Sequence, residues 1–495
     1  MVSSLQRAPA AGAAAPFATG AASAAAVRSP LDALVCLDDW ELSAAAALRA
    51  ASAERPAQTP AGTLEYYASG AGAEVTLSRN SRVWSDELLL LPRVLVDVAC
   101  ASTRWRLLGC DVSAPFGIAP TAFQRLAHAE GELATSRAAA AAGVSYCVSS
   151  FATASLEDVA AAAGGGGAAC PEGGEGGAAT RPTPGAPPSA REGAAAASRP
   201  VRLMQLYAMQ NRAVTRSIVE RAERTGAFSA IALTVDRPVL GRREANARTR
   251  FDIPWELHRD PNDLNGARLA ERARCAEDPA GGESSGGQSS LYANVSASLT
   301  WEDVAWLRSI TSLPIVLKGV LAPEDGAAAV CAGCAAVWVS NHGGRQLDAC
   351  ATGADALPAL VSAVRRAEAA AGGPRVEVWV DGGVRRGTDV VKALALGADF
   401  VWVGRPVVWG LAVAGEEGVR RVLRTLRDET LNAMQLLGVT RVEQIGPQHL
   451  LRLRPAPAPL ALEQQKEGKA GLEVRLAAVA LVAAAVGWAA GRRLG

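Results

Sequence analysis

The chain has 495 residues, 49% of them apolar and 20% charged, with a formal net charge of +1 at pH 7. That length allows one large domain or roughly two to three average ones, and the balanced charge offers no basic surface for nucleic acid. Four His (His128, His258, His342 and His449) argue against a His-rich metal site, and nine Cys without a regular framework predict free thiols in a reducing compartment.

Residues 1–31 are rich in Ala and Ser, with no acidic residue before Asp32, which fits a targeting or disordered leader. From about residue 62 to residue 450 short apolar runs alternate with helical stretches, the pattern of βαβ units. The runs are 116–119, 144–148, 202–206, 230–235, 314–317, 335–339, 376–380 and 400–403. Helices are predicted over 131–142, 213–225, 300–310, 322–332, 357–370 and 388–395. Eight strands so connected imply an α/β fold, a (β/α)8 TIM barrel over 32–450. Residues 161–200 form an Ala/Gly/Pro-rich tract that cannot bury a core and read as a disordered insertion. Cys331-Ala332-Gly333-Cys334 is a CxxC without a second pair, placed where a helix turns into a strand, and reads as structural. Beyond a linker at 451–475, residues 476–491 are uncharged. At ~1.5 Å per residue such a run reaches roughly 24 Å, short of the ~30 Å hydrocarbon core. A tail anchor and a terminal docking helix both remain open.

The chemistry collects where the apolar runs end, as expected of a barrel whose site lies at the C-terminal ends of its strands. In chain order these ends carry Pro120-Thr121-Ala122, Ser149-Ser150, Gln205 with Tyr207, Thr234-Val235-Asp236, Lys318, Ser340 with His342 and Arg345, Asp381-Gly382-Gly383-Val384-Arg385, and Gly404-Arg405. His342 can take a proton at neutral pH, and Arg345 can grip a carboxylate through two parallel hydrogen bonds. A base beside a carboxylate anchor suits reaction at the carbon next to that carboxylate, as in a 2-hydroxy acid. The last two ends, with their glycines and Arg385 and Arg405, read as a phosphate site and predict a phosphorylated cofactor. Lys318 has three readings: an ion pair with a barrel carboxylate, a cation beside a cofactor ring that gains negative charge, or a Schiff-base lysine.

These motifs, with Leu64 to Gly70, Leu240 to Glu244 and Asp381 to Phe400, resemble the FMN-dependent 2-hydroxy-acid oxidases and dehydrogenases, above all the plant-type glycolate oxidases. The resemblance implies FMN as cofactor and His342 as the proton acceptor, oriented by Asp236. It implies Arg345 as the carboxylate anchor, assisted by Arg243 and Tyr66, with Tyr207 on the substrate hydroxyl and Lys318 stabilising the reduced flavin. Ser149, Gln205, Thr234 and Ser340 would contact the isoalloxazine or ribityl chain, with Pro120, Thr121 and Ala122 beside the flavin. Asp381, Gly383, Arg385, Gly404 and Arg405 would hold ribityl and phosphate.

Phe151 stands where glycolate oxidases have Trp, which implies a roomier pocket open to lactate or longer acids. The resemblance further implies O2 as acceptor with hydrogen peroxide formed, a homo-oligomer and residence in peroxisomes. The final Arg493-Leu494-Gly495 does not resemble a Ser-Lys-Leu address, so mitochondrion, plastid or a tail-anchored membrane stay open. The alternatives in function are a dehydrogenase passing electrons to a quinone or cytochrome, and a non-catalytic flavin-binding module.

Overall fold

The computed structural model describes residues 29–164, 201–254, 257 and 294–453. They fall into two units, one ending at Val35 and the other starting at Cys36. In the first, Ser29 caps a single 3-10 turn, Pro30–Ala33, accepting from the Leu31 N–H at 3.3 Å. The second holds the barrel. Residues 1–28 of the expected leader, most of the 161–200 tract, and the 476–491 run lie outside the described residues. Among those described, no helix is long and apolar enough to cross a membrane.

The eight expected runs are the eight strands of a closed parallel barrel. They are β1 (Phe116–Ile118), β2 (Ser145–Val148), β3 (Arg202–Leu206), β4 (Ala230–Thr234), β5 (Ile315–Val320), β6 (Ala336–Val339), β7 (Glu377–Asp381) and β8 (Phe400–Val403). β8 closes on β1 with Val401 opposite Phe116 and Val403 opposite Ile118. Helices cover the outside, so most strand residues are buried on both faces and read as continuous apolar runs. β2 and β3 pair in register from Tyr146 and Arg202, so the tract between them does not interrupt the barrel.

The interior is filled by aromatic rings. Trp338 of β6 stacks on Trp402 of β8 with centroids 4.5 Å apart, and Trp379 of β7 meets the two rings at 5.7 and 5.5 Å. Gly117 makes this possible, because a Cβ there would lie 2.8 Å from the Trp402 ring. A hairpin of Trp105–Leu107 with Cys110–Val112 contributes Leu107 and Val112 to the same cluster. Burial of this kind contributes roughly 25 cal/mol per Å2 of apolar surface.

The helices begin and end where capping chemistry permits. Gly131–Ala142 is Ala-rich and stops at Gly143, whose φ of 63° suits a left-handed helix end. Gly353–Ala371 starts earlier than its expected onset at 357, since Thr352 caps it by accepting from the Asp355 N–H at 3.2 Å. Two helices that pack together were not among those expected. Leu37–Glu54 packs on the last helix, and that helix, Arg405–Leu437, is broken at Ala414 and Gly415.

Cysteine usage needs one correction: Cys36, Cys100, Cys147, Cys331, Cys334 and Cys350 are free thiols, but Cys110 is disulfide-bonded. Cys331 ends a helix and Cys334 is buried before β6, where burial pushes its thiol up to about 12.

Candidate active site

The C-terminal ends of the strands open into one cleft containing about 1050 Å3 of space free of protein atoms, part of it open to solvent. The cleft is lined from all sides by the expected residues: Tyr66, Pro120, Thr121, Ala122, Ser149, Phe151, Gln205, Tyr207, Thr234, Arg243, Lys318, His342, Arg345, Asp381, Gly383, Arg385, Gly404 and Arg405. Two expected residues do not line it. Asp236 and Ser340 stand one layer behind, each supporting a residue that does.

His342 is held by its backbone and by two side chains. Its φ is 59°, and Gly343 and Gly344 follow at 64° and 74°, so three successive residues take the left-handed conformation. For a non-glycine residue this costs energy and is concentrated at functional sites. Nδ1 lies 3.0 Å from Asp236 Oδ1, and Nε2 lies 3.3 Å from the Tyr207 hydroxyl. Burial lowers the imidazole pKa more than Asp236 raises it, so the ring stays neutral and able to accept a proton. The Asp236 carboxyl is held below its ordinary range: burial opposes ionisation, but His342 and Lys318 outweigh it. Gly319 makes room for that carboxylate. Its φ is 107°, and a Cβ there would sit 2.5 Å from Asp236 Cγ.

Lys318 answers one of the open alternatives. Its Nζ lies 3.4 Å from Asp381 Oδ2 and donates to Ser340 Oγ at 3.1 Å. Burial disfavours its charge, yet Asp381 and Asp236 raise its pKa, so the lysine is a cation. A protonated amine is no Schiff-base nucleophile. A bulge in β5 between Lys318 and Val320 shifts the strand register here. Ser340, expected beside the flavin, links three groups of the site. Its hydroxyl donates to Asp381 Oδ1 at 2.7 Å and accepts from Lys318 Nζ and from the His342 N–H at 3.0 Å. A hydroxyl has one donor and two acceptor positions, so Ser340 is saturated and acts as a positioning residue.

Gln205 ties three strands together. Its Nε2 donates to Thr234 Oγ1 at 2.9 Å, and its Oε1 accepts from the Ser150 N–H at 3.0 Å and from Ser149 Oγ at 3.4 Å.

Four guanidiniums face the cleft from the expected set. Arg243 is buried, and its Nε and Nη1 find no hydrogen-bond partner among the described residues. Such orphaned donors are costly unless an anionic ligand meets them. Arg345 Nη1 donates to the carbonyls of Tyr66 at 2.7 Å and Ser69 at 3.1 Å, and its guanidinium lies 5.1 Å over the Tyr66 ring. Arg405 departs from a pure phosphate role. Its Nε, Nη1 and Nη2 donate to the carbonyls of Tyr67, Gly343 and Ser69 at 2.8, 3.0 and 3.0 Å, strapping the helix Thr63–Ala68 over the barrel mouth. Burial, with Arg345 and Arg385 beside it, pushes Arg405 down to about 9. Arg385 pairs with Glu41 at 3.4 Å.

A site this rich in cations fits a phosphorylated anion. The glycine turn after β7 fits one too: Gly382 and Gly383 have φ of 101° and 78°, and a Cβ at Gly383 would lie 1.8 Å from the Asn80 carbonyl oxygen. Trp84 Nε1 donates to the Gly382 carbonyl at 2.9 Å and so secures the turn. Sequence reasoning missed Trp84, Asn80, Glu41, Tyr67, Trp402 and Arg237, of which Tyr67, Trp402 and Arg237 line the cleft. Arg237 and Tyr67 carried a local signal, since they directly follow the expected residues Asp236 and Tyr66.

Comparison with known proteins agrees with this geometry. The profile of the FMN-dependent dehydrogenase family matches residues 56–170 and 188–452. Glycolate oxidase 1 of Zea mays is 44% identical over 387 residues, covering 78% of this chain and 90% of the relative. L-lactate oxidase of Nostoc sp. is 41% identical over 388 residues, covering 78% and 92%. The crystal structure of mandelate oxidase with (S)-4-hydroxymandelic acid superposes with a TM-score of 0.66 and 35% identity, covering 84% of this chain and 98% of that one. A barrel of this topology, a cation-lined cleft that suits a flavin nucleotide, and a family profile spanning most of the sequence together place the chain in the FMN-dependent dehydrogenase family.

Proposed function

We propose that this protein, an FMN-dependent oxidase of 2-hydroxy acids, converts small (S)-2-hydroxy acids such as glycolate and lactate to 2-oxo acids, with O2 as acceptor and hydrogen peroxide as the second product. The observation that carries this reading is the pairing of a neutral, Asp236-held His342 with a buried Arg243, whose Nε and Nη1 have no hydrogen-bond partner among the described residues, in one cleft.

Arg243 and Arg345 take the substrate carboxylate, and Tyr66 packs beside them. Tyr207 donates or accepts at the substrate hydroxyl, one hydrogen bond from His342 Nε2. That nitrogen takes the proton, and Asp236 Oδ1 keeps Nδ1 protonated, so the lone pair faces the substrate. FMN, when bound, supplies the two-electron acceptor. Lys318 brings a fixed positive charge to the cleft, where negative charge develops. Pro120, Thr121, Ala122, Ser149, Gln205 and Thr234 would flank the flavin ring and ribityl chain. Asp381, Gly383, Arg385, Gly404 and Arg405 would hold ribityl and phosphate. Per turnover the acid loses two electrons and two protons, and O2 gains both to become hydrogen peroxide.

Anaerobic mixing with glycolate or lactate should bleach the flavin, and aerobic turnover should give one hydrogen peroxide per acid consumed. Rapid dye reduction with negligible peroxide would make the protein a dehydrogenase coupled to a quinone or cytochrome. A flavin that stays yellow would make it a non-catalytic binding module. Family likeness also supports homo-oligomeric assembly and peroxisomal residence, which light scattering and imaging of a tagged chain would test. Flotation with vesicles would test membrane contact through the C-terminal run.

A further inference from the structure

We infer that Trp402, Trp338 and Trp379 form a one-electron relay, which carries an oxidising equivalent from light-excited FMN in the cleft to the hydrogen-bonded pair of Trp379 and Glu377. The relay takes as given that the cleft described above holds FMN. It starts at Trp402, which lines that cleft. The Trp338 ring lies 4.5 Å from the Trp402 ring and the Trp379 ring 5.5 Å from it, centroid to centroid, with 5.7 Å between the other two. All three side chains are fully buried in one cluster. Aromatic rings in such contact are within electron-tunnelling reach of one another.

The three rings differ in what surrounds them, and that sets the direction. Trp338 Nε1 and Trp402 Nε1 find no hydrogen-bond partner among the described residues, so a radical cation on either ring keeps its proton and passes its charge on. Trp338 is a poor resting place for a further reason: Lys318 Nζ lies 5.0 Å over its ring and repels added positive charge. Trp379 Nε1 instead donates to Glu377 Oε2 at 2.8 Å. Core packing accounts for three large rings but not for this carboxylate. A buried indole N–H needs only a neutral acceptor, and a carboxylate is the costlier choice there. Burial, with Asp399 beside it, pushes the Glu377 carboxyl up to about 7, so the group both ionises and takes up a proton near neutrality.

The balance is one electron and one proton. Trp402 yields an electron to light-excited FMN, and Trp379 refills Trp402 directly or through Trp338. The Trp379 N–H bond then breaks, its proton goes to Glu377 Oε2, and a neutral indolyl radical stays on Trp379. Return of the electron and of the proton to Trp379 resets every group. Light absorbed by an idle flavin is thus dissipated inside the barrel instead of activating O2.

Flash spectroscopy of the FMN-loaded full chain under blue light, without oxygen or substrate, tests this. The flash should produce the absorption band of a tryptophanyl radical cation, which then converts to the band of the neutral radical. Glu377→Gln keeps an acceptor for the indole N–H but removes the base, so the neutral band should be lost while the cation band remains. Trp379→Phe should also lose the neutral band. Trp402→Phe should lose both bands and raise the fluorescence of the flavin. Each signal is read per bound FMN, so loss of folded material cannot imitate its disappearance. A neutral band that persists in Glu377→Gln or Trp379→Phe would overturn the inference. So would tryptophanyl radicals that persist in Trp402→Phe or never form in the wild type. None of these results bears on the oxidase reading, which would instead be overturned if glycolate and lactate failed to bleach the flavin in the dark.

Discussion

His342 Nδ1 sits 3.0 Å from Asp236 Oδ1 although the two residues are 106 positions apart, on loops following β6 and β4. The contact assigns the proton on the imidazole: with Nδ1 donating to the carboxylate, Nε2 is left as the acceptor that faces Tyr207 and the cleft. Asp236 remains ionised because His342 and Lys318 outweigh the penalty of its burial.

Asp236→Asn should therefore slow flavin reduction by roughly 10²- to 10⁴-fold while FMN stays bound, since an amide can hold the imidazole in the wrong tautomer. His342→Ala should do the same by removing the base. Anaerobic stopped-flow measures both, and normal bleaching in either variant removes that residue from the mechanism.

The pH profile follows from the same pair. Burial lowers the His342 pKa below its ordinary value of ~6.5. The bleaching rate should be flat through neutrality and fall only on the acid side of that value. The folded state binds this proton more weakly than the unfolded chain does. Stability linked to His342 is thus present above ~6.5 and lost as pH falls toward the lowered folded pKa. A rate already falling at pH 7 would contradict a buried, neutral base.

Arg243→Met and Arg345→Lys should weaken substrate binding more than they slow the bound reaction. Arg243→Met removes a buried fork, and Arg345→Lys replaces one with a point charge. Charge-assisted bonds contribute ~1.5–3 kcal/mol, so the apparent affinity for glycolate should drop roughly 10- to 100-fold. Unchanged half-saturation in both variants would remove the carboxylate-anchor role.

Lys318→Met should destabilise the protein as well as impair it. It leaves the buried Asp381 without its cation at 3.4 Å, and breaking a buried pair in this way costs ~3–5 kcal/mol. A urea melt of the FMN-loaded variant reads the loss; a midpoint equal to wild type would show that the pair is dispensable.

Glu377 offers a test at the opposite end of β7. It accepts from the Leu108 N–H and from Trp379 Nε1, each at 2.8 Å, and burial, with Asp399 near it, pushes its carboxyl up to about 7. A raised carboxyl pKa contributes stability that is complete below the unfolded value of ~4.3 and is lost as pH rises through the folded one. Glu377→Gln cannot ionise, so its melting temperature should drop less than the wild type's between pH 5.5 and pH 8.5. Parallel profiles would place the pH dependence elsewhere.

The barrel was legible because its strands are buried on both faces, leaving eight apolar runs bounded by helix and turn signals, and each run corresponds to one observed strand. The cleft was legible for a related reason: its residues sit at strand ends, where chain order alone brings them to one mouth. The elements that escaped notice lack such a local pattern. The strands Leu88–Leu90 and Leu450–Arg452 are short and pair across most of the chain. The hairpin that carries Leu107 and Val112 into the barrel core has strands of three residues each.

Residue identity and alternation along the chain determined the barrel, its mouth and the chemical character of the groups gathered there, because these depend on local burial and on period. Three-dimensional packing alone decided what each group does. It saturated the Ser340 hydroxyl, turned Arg405 into a strap on backbone carbonyls, left Arg243 Nε and Nη1 without a hydrogen-bond partner among the described residues, and laid Arg237 over Tyr207. Hydrogen bonding, charge pairing and desolvation act through space over a few ångströms, between residues that the chain keeps tens to hundreds of positions apart.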